Sequence, residues 1–138
     1  MDNSVSNTVS VPPTDQGVVA EQPFLTPSVP LSEAKAALFK ALAHPARVRS
    51  LEILVDGERS VGELQPLVGI ELSHLSQQLG ILRRAGLVST RREGSTVFYA
   101  IKDPNLAELL AVARRLLMRS LSETRDLLAD LQDAGADE

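Results

Sequence analysis

ELSHLSQQLGILRRAGLV, residues 71 to 88, is the stretch of sequence that decides the fold. Its leucines recur at the spacing of the buried side of an amphipathic helix. The four positions are Leu72, Leu75, Leu79 and Leu82. Serine, histidine, glutamine and arginine side chains fall largely outside this stripe. The pattern therefore predicts a helix that presents a polar surface to solvent.

A shorter helix is predicted immediately upstream. Ser60 and Glu63 have the spacing of a capping box, in which both side chains satisfy amides at a helix start. The buried side of this helix would comprise Val61, Leu64 and Leu67. Gly69 allows a tight turn into the next helix, because glycine adopts backbone angles that other residues resist. Two short helices joined by such a turn form a helix-turn-helix.

The residues after the long stretch predict a β-hairpin. Gly86 stands where a helix C-terminal cap is favoured. Residues 88–92 and 96–101 are rich in β-branched and aromatic side chains, and Glu93-Gly94-Ser95 forms a turn between them. Helix, turn, helix and then a basic hairpin is the order of a winged helix.

The N-terminal part of the chain divides into a tail and two helices. Residues 1–30 carry most of the prolines and show no periodicity, which predicts a disordered tail. A first helix is predicted from the helical period of the apolar residues between 31 and 42, with Ser32 as its N-cap. Pro45 suits the first turn of a second helix, and His44 before it is interpreted as a structural residue of the N-cap region.

A leucine-rich run after residues 103–105 predicts a last helix of more than 25 residues. Such a helix would overrun the small domain described so far, so its apolar face needs another surface. Either it folds back over its own domain, or it packs with the first helix against a second copy. We favour the dimer, because a helix-turn-helix reads DNA best as a two-fold pair.

These elements together predict a mainly α fold of the α+β class. We expect a winged helix-turn-helix of about five helices with a two-stranded β-hairpin wing, whose long terminal helices form the dimer interface. Residues 31–138 would form this single DNA-binding and dimerisation domain.

The overall charge does not by itself favour DNA binding. The formal net charge is −4, but residues 73–102 contain five basic residues against one acidic residue, and charge placement decides phosphate binding. The chain has no cysteine, which excludes a disulfide and a thiolate metal site within it. Since no segment resembles a membrane span or a targeting peptide, a cytoplasmic protein is expected.

Three segments resemble the ArsR/SmtB family of bacterial winged-helix repressors. They are LAHPARVRSLEIL at residues 42–54, SVGEL at 60–64 and the stretch from 75 to 88. The resemblance runs from about residue 31 to the end of the last helix. It implies a homodimer that binds a palindromic operator and is released by an inducer, with residues 71–85 as the recognition helix and the hairpin as the wing.

The chain departs from the metal-sensing members of that family. Where those members carry a Cys-Val-Cys type motif, this chain has Ser60-Val61-Gly62, and it has no histidine after His74. We therefore expect no metal and no cofactor. The signal would come from a partner protein or a small-molecule effector, for which a pocket between the first and last helices is one hypothesis.

The candidate DNA-binding residues lie on the recognition helix and the wing: Ser73, His74, Ser76, Gln77, Gln78, Arg83, Arg84, Arg91 and Arg92. We assign Gln77 to a base, because its amide can pair with both N6 and N7 of adenine. Gln78, about 100° away on the helix, would reach a phosphate or point inward.

The basic candidates have alternatives of unequal weight. His74 would contact guanine or phosphate, or would be only an exposed residue at a helix start. Arg83 and Arg84 would contact phosphate or stabilise the helix end. Arg91 and Arg92 are stronger candidates, since a hairpin tip has little structural reason to carry adjacent positive charges.

Gly80, in the middle of this helix, would allow close packing against a neighbouring helix. Finally, the chain has neither a grouping of nucleophile and base nor a Gly-rich nucleotide loop, so we do not expect an enzyme. The alternative function is a protein-interaction module in which a partner or ligand supplies the sensing.

Overall fold

The computed structural model describes residues 29–136, so the expected tail of residues 1–30 lies almost wholly outside the described residues. The described chain is mostly helical. Its elements in order are α1 (Leu31–Leu42), α2 (Pro45–Leu54), β1 (Arg59–Ser60), α3 (Val61–Val68), α4 (Leu72–Arg84), β2 (Val88–Glu93), β3 (Thr96–Ile101) and α5 (Pro104–Ala136). The five helices and the α3-turn-α4-hairpin order confirm the predicted fold class.

Strands β2 and β3 form the predicted two-stranded hairpin, and a third strand that was not predicted, β1, joins them in one sheet. All pairings are antiparallel and the order is β1-β3-β2, so Phe98 on β3 lies opposite Ser60 on one side and Arg91 on the other. Strand β1 contains only two residues, Arg59 and Ser60. A strand of this length has too few residues to show the alternation by which strands are recognised in a sequence.

The core of the region up to residue 103 is built from leucines. Those with no exposed surface are Leu51, Leu64, Leu75, Leu79 and Leu82. Each such burial contributes about 1.5–3 kcal/mol relative to leaving the side chain in water. Two residues predicted to be buried are not: Leu67 and Leu72 are each about half exposed.

The helix ends follow the sequence signals closely, with one correction. Both bonds of the capping box form, since Ser60 Oγ accepts the Glu63 amide at 3.1 Å and the Glu63 carboxylate accepts the Ser60 amide at 2.9 Å. Gly69 ends α3 with a φ of 81°. The correction concerns α1, where Ser32 lies inside the helix and Pro30 occupies the N-cap position without a side-chain bond.

The chain divides into one unit up to Asp103 and a second unit from Pro104 onward. The second unit is α5, whose 33 residues span about 50 Å at 1.5 Å per residue. Most of its large apolar side chains are exposed in the single chain, namely Val112, Leu116, Leu117, Met118, Leu121, Leu127, Leu128 and Leu131. None of the helices described is long and apolar enough to cross a membrane.

Candidate nucleic-acid interface

Helix α4 presents one polar face to solvent. This face brings together most of the candidate DNA-binding residues from the first half of the helix. Its buried side is formed by Leu75, Leu79 and Leu82, which fixes the opposite side as the exposed one. The exposed candidates are Ser73, His74, Ser76 and Gln77. Their uncharged and hydrogen-bonding chemistry is that of side chains that read base edges in a major groove.

Gln78 does not belong to this face. Only 6% of its surface is exposed, and its Oε1 accepts a 2.7 Å hydrogen bond from Nη1 of Arg47 on α2. Because the side chain is buried, its amide does not reach a phosphate, so Gln78 leaves the set of candidate DNA contacts. Of the two alternatives considered for it, the structure shows the inward one.

His74 contacts a second histidine. Its ring lies edge-on to the ring of His44, with centroids 5.8 Å apart and an angle of 88° between the planes. His44 itself is the N-cap of α2, because its Nδ1 accepts the amide of Ala46 at 3.0 Å. His44 is therefore structural, as predicted, whereas His74 combines this contact with an exposed position on the polar face.

Arg83 and Arg84 occupy the last turn of α4 and are exposed. A cation there interacts favourably with the negative end of the helix dipole. The guanidinium of Arg84 extends back over Gly80, so that a Cβ added to the glycine would lie 3.2 Å from Arg84 Nη1. The predicted close packing of Gly80 against a neighbouring helix is therefore wrong, since its nearest neighbour belongs to the same helix.

Arg91 on the wing is held by two carboxylates. Its Nε and Nη2 donate to both oxygens of Glu58 at 2.8 and 2.7 Å, and its Nη1 donates to Glu93 at 2.8 Å. The guanidinium also lies over the ring of Phe98, 4.4 Å from its centroid. These bonds raise the pKa of Arg91, and the hydrogen bond to Arg91 holds the pKa of the Glu58 carboxyl below its usual range.

The expectation that the wing has no structural reason for adjacent positive charges is thus wrong for Arg91. Arg92 differs, because successive side chains of a strand point to opposite faces of the sheet. Arg92 is exposed, and it makes no ion pair with any residue between 29 and 136. Within the described part of the chain, Arg92 is therefore the wing guanidinium without a carboxylate partner.

A groove lies between the helix-turn-helix and the wing, and sequence reasoning did not find it. This interface groove is a cavity of about 470 Å³ that is lined by Ser60, Val61, Gly62, Gln65, Leu72, Ser76, Ser95, Thr96 and Val97. Its lining offers four hydroxyl groups and three apolar side chains, and it includes no carboxylate. The serines and the threonine of its lining lie in three separate segments of the sequence, so they form no recognisable motif there.

No group of three or more histidine, cysteine or acidic side chains that could hold a metal ion occurs among residues 29–136.

Three comparisons with known proteins agree on the kind of protein. Residues 44–90 match the family described as bacterial regulatory protein, arsR family. The chain is 56% identical over 110 residues to the uncharacterized HTH-type transcriptional regulator Rv0081 of Mycobacterium tuberculosis, which covers 79% of this chain and 96% of that protein. It is 43% identical over 86 residues to the transcriptional activator HlyU of Vibrio cholerae, covering 62% and 80% of the two chains.

Solved structures resemble the chain as well. The crystal structure of Rv0081 superposes with a TM-score of 0.64 and 60% identity, covering 70% of this chain and 97% of that one. The transcriptional repressor BigR from Xylella fastidiosa superposes with a TM-score of 0.59 and 41% identity, covering 62% and 87%.

Proposed function

Since the chain belongs to the arsR family of bacterial regulatory proteins, and is therefore a DNA-binding transcriptional regulator and not an enzyme, we propose that it is a homodimeric repressor of a palindromic operator. The observation that carries the proposal is the exposed polar face of α4, which is fixed from behind by three buried leucines. In such motifs the second helix enters the major groove with its N-terminal residues against the base edges.

On this proposal, Gln77 reads a base while Ser73, His74 and Ser76 contact bases or phosphates beside it. The interface groove receives the sugar–phosphate backbone next to the major groove. Its hydroxyl groups suit phosphate oxygens, and the half-exposed Leu72 suits a deoxyribose. Arg92 would neutralise a further phosphate from the wing, and Arg83 and Arg84 extend the positive surface at the end of the helix.

Exposed leucines on α5 support the homodimer. The positions Leu117, Leu121, Thr124, Leu128 and Leu131 are separated alternately by four and three residues, which is the a/d repeat of a coiled coil. A second α5 would bury this seam. Two-fold symmetry would then place two recognition helices on two half-sites, which is the geometry that a palindromic operator requires.

Repression is proposed because the similar protein BigR is named a repressor, although the similar HlyU is named an activator. The 138 residues include no cysteine, so none of them offers a thiolate that could respond to the inducing signal. We propose that a small molecule or a partner protein supplies it instead.

A selection experiment tests the function. The purified full chain would be used to select duplexes from a random-sequence pool, and the selected duplex would be titrated at several salt concentrations beside a scrambled duplex. A palindromic consensus, a complex containing two protein chains and affinity that falls steeply with salt are expected. Selection of no consensus at any salt concentration would overturn the proposal. A non-palindromic consensus bound by one chain would overturn the dimer.

A further inference from the structure

Arg47 of α2 joins the end of α1 to the recognition helix. Its Nε donates to the carbonyl of Ala41 at 2.8 Å, its Nη2 to the carbonyl of Lys40 at 3.4 Å, and its Nη1 to Oε1 of Gln78 at 2.7 Å. All three nitrogens of one planar guanidinium therefore donate a hydrogen bond, and these bonds reach two different helices.

The bond to Ala41 satisfies a carbonyl group that needs a partner. Ala41 lies in the last turn of α1, where carbonyl groups lack an amide from the helix itself, whereas the neighbouring Lys40 carbonyl already accepts the amide of Ala43 at 3.1 Å. A cation at that end also interacts favourably with the helix dipole. The guanidinium is thus fixed on one side by the backbone of α1. Its Nη1 therefore points in a defined direction, towards Gln78.

The bond to Gln78 adds to the buried leucines in setting the rotation of α4. Gln78 is buried, and a buried amide oxygen that lost its donor would carry an energetic penalty. The helix therefore favours the orientation in which Gln78 faces Arg47. Since neighbouring residues are about 100° apart around a helix, this orientation also sets the direction of Gln77.

We propose that Arg47 is a positioning residue for DNA recognition, which holds the recognition helix in its reading orientation and transmits to it the position of α1. The inference rests on the proposed function, because it concerns how the same polar face is aimed. A ligand or partner that displaced the end of α1 would turn Gln78, and with it the face that reads the bases. Arg47 itself contacts no DNA.

The test compares Arg47→Met with Arg49→Met in the full chain. Arg49 is a matched control, because it is an exposed arginine two residues further along α2 and its replacement removes the same charge. The probes are the duplex selected by the wild-type protein and a scrambled duplex of the same length. Circular dichroism and urea unfolding would verify that each variant is folded.

Arg47→Met should lower affinity for the selected duplex about tenfold, the equivalent of one charge-assisted hydrogen bond. Affinity for the scrambled duplex and the salt dependence should not change. Equal losses on both duplexes would mean that the variant is only less folded. A decrease of about 0.9 in the slope of log K against log salt would mean that Arg47 contacts a phosphate. Either result overturns the proposal.

Gln78 supplies a second, independent test. Gln78→Leu should reproduce the effect of Arg47→Met, and the double variant should be no worse than either single variant, because both remove the same bond. Gln78→Glu keeps an acceptor for the guanidinium and should retain specific binding. Additive losses in the double variant would overturn the proposal.

Hydrogen exchange separates failure of this inference from failure of the proposed function. If the wild-type protein selects no duplex, the proposed function fails, but the link between Arg47 and α4 can still be measured without DNA. Arg47→Met should then accelerate amide exchange in residues 72–84 more than Arg49→Met does. Equal exchange in the two variants would overturn the link.

Discussion

Replacement of Arg92 by alanine should weaken DNA binding through the loss of a phosphate contact, whereas replacement of its neighbour Arg91 should not. The two side chains leave β2 on opposite faces. Arg91 is already neutralised by Glu58 and Glu93, while Arg92 pairs with no carboxylate in residues 29–136. Adjacent arginines therefore differ in whether their charge is available.

The expected magnitude follows from the number of phosphates released. Each phosphate that a protein neutralises contributes about 0.9 to the slope of log K against log salt. A dimer has two wings, so Arg92→Ala should lower the slope by about 1.8, which corresponds to roughly 60-fold weaker binding at 0.1 M salt when the two lines converge at 1 M. For Arg91→Ala we expect an unchanged slope, because no phosphate contact is removed.

Fluorescence anisotropy titrations of the selected duplex over a series of potassium chloride concentrations would measure both slopes. Arg119→Ala provides a control, because it removes one exposed positive charge from α5 and leaves the wing intact. If Arg92→Ala leaves the slope unchanged, the wing contact is wrong. If Arg91→Ala lowers it as much as Arg92→Ala, then DNA displaces the carboxylates from Arg91, and the assignment of separate roles fails.

Three further variants test other parts of the structure. Gly80→Ala should raise the free energy of unfolding, measured with urea, by about 1 kcal/mol, because alanine favours a helix interior and its Cβ meets only the flexible end of the Arg84 side chain. A loss of stability would show that this arginine side chain cannot move. Leu121→Glu with Leu128→Glu should convert the dimer to a monomer in sedimentation experiments, whereas an unchanged mass would exclude α5 from the interface. Gln77→Ala should reduce discrimination at one base pair by about 1–3 kcal/mol in competition with singly substituted duplexes, and a uniform loss at all positions would argue against a base contact.

Local signals in the sequence predicted most of the fold. The capping box at Ser60 and Glu63, the proline that opens α2 and the left-handed Gly69 each act within a few residues, so each can be recognised without knowing the fold. The leucine stripe of α4 could be recognised equally well, since helical periodicity is a property of one segment. These features place the recognition helix and the wing in order along the chain.

The errors concern contacts between distant segments. Glu58 and Arg91 are 33 residues apart, and Arg47 and Gln78 are 31 apart, so neither pair leaves a spacing pattern in the sequence. Both pairs alter the candidate site, because one neutralises a wing arginine and the other turns a glutamine inward. The interface groove was missed for the same reason, since residues from three separate segments of the chain form its lining.

Net charge was a poor guide to DNA binding because the acidic side chains around the interface are engaged. Glu58 and Glu93 are bonded to Arg91, Glu63 caps α3, and Glu71 accepts the hydroxyl of Ser73 at 3.2 Å. The hydrogen bonds to Arg91 and to the Ser60 amide lower the pKa values of Glu58 and Glu63, respectively, so both carboxylates stay ionised in these contacts at neutral pH. Since the interface groove has no carboxylate in its lining, a phosphate that entered it would meet hydroxyl groups and not the negative charge that dominates the whole chain.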